Sequence, residues 1–346
     1  MSSQSIPAVA VEIPRESGKS RPVGRIGALD WTKGALVVCM VAYHAINYSA
    51  FRPMGFKALG FLPPSFILIA GFLVGQVYAT KYSLDTWKPY ARLLVRGLKL
   101  LLVFLVLNVT NCIILKRDIV DGLWEFADRA ETIFVSGNNR QGIFEVLLPI
   151  AYFLILAPGL LWVRSRTKSA ITLFAVAIFL LCIVLEREGK TYENLSLLSA
   201  GLIGMACGLV RMESIDKFAV KWLPVLGLYA LYRVSSYFFG ENYPIQIFGA
   251  VTSLVLLYGL ALHLDCDSGT GRWMVLLGKY SLAGYLIQIP LIQLLVLFHG
   301  GKPTHWIGVF AVAMITMALL FFIVQGLNFM RSRSSIVDSV YKAVFA

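Results

Sequence analysis

The sequence predicts an all-α, polytopic integral membrane protein with about ten transmembrane helices and both termini in the cytoplasm. Three observations lead to this prediction: 58% of the 346 residues are apolar, only 14% are charged, and the mean hydropathy is +0.74. Soluble domains carry about a quarter charged residues, and a helix needs about 20 apolar residues to cross a bilayer. A secreted enzyme, a disordered scaffold and a coiled coil are therefore excluded.

Ten apolar runs define the predicted helices and the domain boundaries. We place a cytoplasmic tail at 1–28, a transmembrane domain at 29–330 and a cytoplasmic C-terminal tail at 331–346. The first tail is rich in Ser, Pro and charge, which predicts disorder. The predicted spans are 29–50, 61–79, 97–115, 143–163, 170–186, 194–210, 222–239, 245–264, 273–298 and 306–329.

The distribution of Lys and Arg predicts the orientation of these spans. With the N-terminus inside, 18 of these residues fall on the cytoplasmic side and 9 on the outer side, and four lie within spans. Cytoplasmic loops carry such an excess. The net charge of +12 is concentrated at loops and helix ends, so it does not indicate a nucleic-acid partner.

The cysteines do not predict a metal site. The five cysteines form an odd set without Cys-x-x-Cys spacing, and four of them lie inside apolar runs. This pattern is typical neither of a disulfide framework nor of a metal site. We therefore expect no bound metal.

Ionisable residues line one face of the first predicted span. Lys33 and His44 are separated by about three helical turns, so they share a face and lie about 16 Å apart along the axis. Asp30 precedes Lys33 by one turn. Charges inside a span are costly unless they face a cavity, which makes the stripe a functional candidate. Alternatively, Asp30 and Lys33 snorkel at the cytoplasmic boundary and His44 lies at the outer boundary.

Two further features have structural interpretations. Gly71 and Gly75 form a GxxxG pair in the second span, which indicates close helix packing. The outer loop 116–142 mixes acidic and aromatic side chains. Loops of this length are usually functional or disordered, and this pattern is compatible with an amphipathic segment over an outer cavity.

Four short motifs are spread over residues 25–298. The chain contains Arg25-x-x-x-Leu-Asp30-x-x-Lys33-Gly with ten residues between Lys33 and His44, then Ser65-Phe-Ile-Leu-Ile-Ala-Gly-Phe, Glu145 ahead of Leu148-Pro149, and Gly278-x-x-Ser281. Together they resemble the membrane acyltransferase 3 superfamily, and within it the glucan-modifying OpgC-type branch. The heparan glucosaminide N-acetyltransferase group has a similar opening, so the acceptor chemistry stays open.

The resemblance implies roles for four residues. Lys33 and His44 match the superfamily's basic residue and histidine, and Glu145 matches an acidic residue of the branch. Gln288 stands where many relatives carry histidine, and we assign it to substrate binding. Ten spans agree with the superfamily's core.

Basic residues gather at the predicted cytoplasmic end of the spans. Arg92, Arg96 and Lys99 lie at the start of the third span, and Lys279 lies in the cytoplasmic half of the ninth. Arginine forks and lysine point charges suit phosphate oxygens, so these residues, with Lys33, are candidates for binding the phosphates of an acyl-CoA. The alternative is that they are topology signals only.

Three residues are candidates for catalysis or substrate contact nearer the acceptor. His44 is suited to take a proton from an acceptor hydroxyl because imidazole titrates near neutral pH, and Glu145 could orient its ring. Glu145 could equally be an acidic residue at a wet loop end. Arg233 lies well inside a span and needs a partner, either Glu145 or a negatively charged acyl group.

The residues and the resemblance together predict a membrane acyltransferase. Acyl-CoA serves as donor substrate, with no permanently bound cofactor, and an acetyl or succinyl group passes to a hydroxyl of a glycan or other acceptor near the outer face of a bacterial inner membrane. The partners expected are acyl-CoA, the acceptor and membrane lipids. The alternative is a transporter that uses Lys33, His44 and Arg233 as pathway residues.

Overall fold

A computed structural model of the chain describes residues 23–50, 59–80, 86–138, 144–167 and 169–345. Within these ranges the chain is helical and contains no strand. The helices are α1 Val23–Asn47, α2 Leu62–Tyr78, α3 Lys88–Lys116, α4 Ile119–Asp128, a π-helical turn Thr132–Ser136, α5 Leu147–Arg166, α6 Ala170–Arg187, α7 Glu193–Cys207, α8 Met212–Ala219, α9 Trp222–Phe239, α10 Tyr243–His263, α11 Gly269–Lys279, α12 Ser281–Phe298, α13 Trp306–Arg333 and α14 Ser335–Phe345.

The predicted all-helical membrane fold is confirmed, and nine of the ten predicted apolar runs each coincide with a single helix. Six of the described helices (α3, α5, α6, α10, α12 and α13) are long and apolar enough to cross a membrane, or seven spans if α7 and α8, bent by 102°, count as one. Ten crossings and the side on which the termini lie stay predictions. Of the tail placed at 1–28, residues 1–22 lie outside the described part of the chain, and α1 begins at Val23.

One predicted span differs from the structure. The run 273–298 is divided between α11 and α12, because the helix is interrupted at Tyr280. A Cβ built on Gly278 would lie 2.6 Å from the carbonyl carbon of Asp30, so α11 presses directly on the backbone of α1. The first half of the run therefore forms a separate helix, α11, that packs against α1. Of the two helices, only α12 has the length and hydropathy of a span.

The GxxxG pair of α2 packs against glycines of α7. A Cβ on Gly71 would lie 2.9 Å from the carbonyl carbon of Gly201, and one on Gly204 would lie 2.8 Å from that of Leu68. Carbon atoms normally approach no closer than about 3.5 Å, so only glycine permits this contact. The contact fixes α2 against α7, and other residues of α2 line the cavities described below.

The outer loop predicted at 116–142 contains an amphipathic helix. Asp118 caps α4 by accepting hydrogen bonds from the next turn, and Glu125 pairs with Lys116 at 3.1 Å and with Arg129. The π-helical turn is held by the amide of Asn194, which donates to the Ile133 carbonyl at 2.8 Å. Residues 139–142 of the loop lie outside the described part of the chain.

The C-terminal tail placed at 331–346 is also helical where it is described. Asp338 pairs with Arg331 at 2.6 Å and with Lys342 at 2.5 Å, which ties α14 to the end of α13. Lys342 and Arg331 hold the pKa of the Asp338 carboxyl below its usual range. The carbonyl of Lys342 accepts a hydrogen bond from Lys99 at 3.1 Å, so α14 also reaches α3.

Candidate functional site

The structure places the candidate residues at two ends of the helix bundle. The end that holds Asp30, Lys33 and Arg96 is called the basic end, and the opposite end, which holds His44 and Glu145, is called the His44 end. α12 runs beside α1 toward the His44 end, where Gln293 on α12 donates a hydrogen bond to Tyr48 at 3.0 Å. The site is therefore built mainly between α1, α2, α3 and α12.

A cavity of about 800 Å³ opens beside α3 at the basic end. Arg92 and Arg96, one helical turn apart, line one wall, and Tyr78 of α2 lines another. Arg96 donates a hydrogen bond to the Tyr78 hydroxyl at 3.2 Å, which fixes the guanidinium at the cavity wall. Two arginines at the wall of an open cavity form a site suited to phosphate groups.

A second cavity, of about 230 Å³, lies deeper and contains Lys33. Its lining includes Lys33, Ser281 and Tyr285. The Lys33 ammonium pairs with Asp30 at 2.6 Å, so the two charges of the α1 stripe stabilise each other. Ala70 and Leu73 of α2 line both this cavity and the arginine-lined one, so the two cavities meet at α2.

Tyr285 separates the Lys33 cavity from His44. The side chain is only 6% exposed, and its ring centroid lies 6.3 Å from that of His44, 6.1 Å from Phe66 and 5.8 Å from Phe144. Sequence reasoning did not select Tyr285 as a site residue. Its position one turn after Ser281 of the Gly-x-x-Ser motif is the sequence signal that could have identified it.

His44 is half-buried, and its ring nitrogens have no hydrogen-bond partner among the described residues. Both ring nitrogens are inaccessible to solvent and neither is paired. Because buried polar atoms are normally hydrogen-bonded, an unpaired imidazole beside Tyr285, which lines the Lys33 cavity, is a candidate position for a ligand to supply the partner. Both nitrogens of His44 are therefore free to form a hydrogen bond with a substrate.

The predicted hydrogen bond between Glu145 and His44 is not made in the structure. Glu145 lies in the turn before α5 and lines a small space at the His44 end with Asn108 and Asn194. Both His44 nitrogens are unpaired among the described residues, so Glu145 does not hold the His44 ring in this structure.

Gln288 is buried one turn after Tyr285. It is 0% exposed, and both atoms of its amide lack a partner among the described residues. An unpaired amide costs about 1–3 kcal/mol when buried. Gln288 therefore shares with His44 a buried polar group without a partner, and its role in substrate binding stays a prediction.

Three other predicted residues lie away from these cavities. Lys99 donates a hydrogen bond to the Lys342 carbonyl of α14 at 3.1 Å. It does not line the arginine-lined cavity. Lys279 is exposed at the last turn of α11. The guanidinium of Arg233 lies 5.5 Å from the Tyr232 ring on α9, which packs chiefly against α10, so the predicted partnership with Glu145 is not seen.

The family of the chain follows from comparison with known proteins. Residues 26–326 match the family model described as an acyltransferase domain, and the chain therefore belongs to the acyltransferase 3 family. Membership in this family and the apolar helices indicate an integral-membrane acyltransferase. Searches of the curated proteins and of the solved structures found no match.

Proposed function

We propose that this membrane acyltransferase uses acyl-CoA as its donor and modifies a hydroxyl of a glycan at the His44 end. One observation supports the proposal: the cavity lined by Arg92 and Arg96 shares a wall, at Ala70 and Leu73, with the cavity lined by Lys33 and Tyr285, and the His44 ring lies 6.3 Å from that of Tyr285. The distance of about 16 Å between Lys33 and His44 along α1 is comparable to an extended pantetheine arm.

The donor would enter from the basic end. The arginine pair would hold the phosphates of the coenzyme, with Lys33 deeper in the cavity as a point charge. Lys99 and Lys279 do not line the two cavities. Their positive charges would only raise the electrostatic potential that attracts the anionic donor to the basic end. This arrangement would deliver the thioester to the apolar passage beside Tyr285.

Chemistry would occur beside His44. The imidazole would take the proton of the acceptor hydroxyl while the hydroxyl oxygen attacks the thioester carbonyl, so that a C–O bond forms and the C–S bond breaks. The same imidazole would then give its proton to the departing thiolate of coenzyme A. Hydroxyl and amide donors of Tyr285 and Gln288 would stabilise the negative charge on the carbonyl oxygen.

The acceptor assignment rests on the OpgC-type resemblance. A periplasmic or cell-surface glycan, an acetyl or succinyl group and a bacterial inner membrane fit the motifs around Lys33, His44 and Glu145. Glu145, Asn108 and Asn194 line one space of only about 10 Å³ at the His44 end, so they support a hydroxyl-bearing acceptor by their chemistry and not by the size of this space. Amides and carboxylates are the side chains that hydrogen-bond sugar hydroxyls.

The proposal is tested by separating donor binding from turnover. Arg96→Ala and Lys33→Ala should weaken binding of acetyl-CoA to purified protein, because each removes a phosphate contact. His44→Ala should leave binding nearly unchanged and lower turnover by about 10²–10⁴-fold, as expected for a general base. Arg333→Ala, an exposed basic residue of α13, is the matched control and should change neither.

Two results would overturn this assignment of roles. If His44→Ala weakens binding as much as Arg96→Ala, His44 contacts the donor in its ground state and is not the base. If Arg96→Ala binds acetyl-CoA like the wild type, the arginine-lined cavity is not the donor site. Melting temperatures of all four variants verify that each protein is folded.

A further inference from the structure

A third cavity, of about 330 Å³, lies on the opposite side of α2 from the arginine-lined cavity. Its walls come from α1, α2, the bend between α7 and α8, and α10, and they include Phe72, Cys207, Ile215, Val255 and Tyr258. Among the described residues, Ile69 alone lines both this cavity and the Lys33 cavity. The proposed reaction makes no use of this space.

The polar groups of this cavity are already satisfied. The Thr32 hydroxyl donates to the Ala28 carbonyl at 2.8 Å, and the Tyr258 hydroxyl donates to Asp216 at 2.8 Å. None of its lining residues, all of them described, has a buried polar atom without a partner. The cavity therefore differs from the surroundings of His44 and Gln288, and it fits an apolar ligand.

The volume corresponds to a length of hydrocarbon. An apolar cavity of about 150 Å³ accepts benzene, which has six carbon atoms. By the same proportion a cavity of 330 Å³ holds roughly a dozen carbon atoms. That is most of one acyl chain of a membrane lipid.

The cavity opens where a lipid headgroup would lie. Val210, Ser214 and Phe218 at its rim are exposed, whereas Leu68 and Leu254 in its wall are buried. Just beyond α8, Trp222 is 61% exposed, and exposed tryptophans favour the headgroup level of a bilayer. The opening therefore faces the interface region rather than bulk water.

The charges around the opening favour an anionic headgroup. Arg211, Lys217 and Lys221 are exposed on and beside α8, and Glu213 is the exposed acid among them. The other acid, Asp216, is engaged by the Tyr258 hydroxyl. The cavity belongs to the basic end, which the Lys and Arg distribution assigns to the cytoplasmic leaflet, where anionic lipids attract such clusters.

We propose that this cavity binds one acyl chain of an anionic membrane phospholipid, with its phosphate at Arg211, Lys217 and Lys221. The site is a lipid-binding site separate from the acyl-transfer site, and it does not depend on the proposed function. A bound lipid would fill the space between α2, α8 and α10 and stabilise the 102° bend between α7 and α8.

The test uses purified protein in phosphatidylcholine vesicles that contain a trace of a phospholipid with a photoreactive acyl chain. Wild-type crosslinks should map to residues 207–218 and 251–258, and phosphatidylglycerol should crosslink more than phosphatidylcholine. Each basic residue near a membrane surface contributes about fivefold. Neutralising Arg211, Lys217 and Lys221 to glutamine should remove that preference and leave crosslinking of phosphatidylcholine.

Cavity-filling variants test the location of the chain. Val255→Trp, on α10, and Ile215→Trp, on α8, should each reduce the crosslinks several-fold. Leu260→Trp is the matched control, since Leu260 lies on the exposed face of α10 outside the cavity. If one cavity variant fails to fold, as judged by its melting temperature, the other carries the test.

Three results would overturn the proposal. Wild-type crosslinks absent from these two segments would show that no lipid chain enters. Equal crosslinking in Ile215→Trp and Leu260→Trp would place the chain outside the cavity. Displacement of the crosslinks by palmitoyl-CoA, with no preference for phosphatidylglycerol, would assign the cavity to the acyl chain of a fatty acyl donor instead.

Discussion

The contact between α11 and α1 gives a sharp prediction through Gly278→Ala. The added Cβ would lie 2.6 Å from the carbonyl carbon of Asp30, whereas carbon atoms in contact lie about 3.5–4.0 Å apart. The two helices must therefore separate by about 1 Å at the residue whose carboxylate pairs with Lys33. Overpacking of this kind costs about 1–3 kcal/mol.

The same shift should reduce the rate of acyl transfer. A misplacement of about 1 Å at a reacting group can cost about 10²-fold in rate, so Gly278→Ala should lose about that factor while its melting temperature falls. The assay is release of coenzyme A from acetyl-CoA in the presence of acceptor, together with a thermal melt. Gly326→Ala is the control, because in the described part of the chain a Cβ at Gly326 would have no neighbour within 4 Å apart from its own helix backbone and adjacent residues. Wild-type activity and melting temperature in Gly278→Ala would refute the close contact and the positioning of the Lys33 cavity by α11.

Three further predictions concern orientation, the C-terminal helix and Arg233. Cysteines at the exposed positions Trp87 and Trp124 should label from opposite sides of the membrane, position 124 from outside, and labelling of both from one side would contradict the predicted orientation. Because Lys342 and Arg331 lower the pKa of Asp338, its stabilisation of α14 should persist at pH values above the unfolded pKa of about 3.9 and disappear as the pH falls through the lower folded pKa. The protection factors of residues 335–345 in hydrogen exchange, which remove the pH dependence of the intrinsic rate, should thus stay constant from pH 8 to about pH 5 and fall only in stronger acid, and Asp338→Asn should lower them across the pH 5–8 range. Arg233→Gln should leave the ratio of succinyl to acetyl transfer unchanged, since Arg233 lies against Tyr232, and a selective loss of succinyl transfer would show that it contacts the acyl group.

The helices could be predicted from sequence because each apolar run carries its own signal. Hydropathy is a local property, so the runs at 97–115 and 306–329 coincide with α3 and α13. The interruption at Tyr280 could not be predicted in this way. It depends on contact between Gly278 and the backbone of Asp30, residues that are remote in the chain.

The placement of two candidate residues could be predicted for a similar reason. Lys33 and His44 are linked by helical spacing within one helix, and the structure preserves that relation. Tyr285 was missed because a tyrosine in an apolar run is usually a core residue, and only packing shows that it stands between Lys33 and His44. The hydrogen bond from Lys99 to the Lys342 carbonyl could not be predicted, because Lys342 comes from the other end of the chain.

The most direct test of the account is the position of the donor's acyl end inside the protein. A coenzyme A thioester with a photoreactive acyl group should crosslink to α12 near Tyr285 and Gln288 and to α1 near His44. Arg96→Ala should weaken this labelling in proportion to its loss of donor binding, whereas His44→Gln should retain labelling on α12. Labelling confined to helices other than α1 and α12, or labelling that Arg96→Ala leaves unchanged, would contradict a donor that enters beside α3 and reacts beside His44.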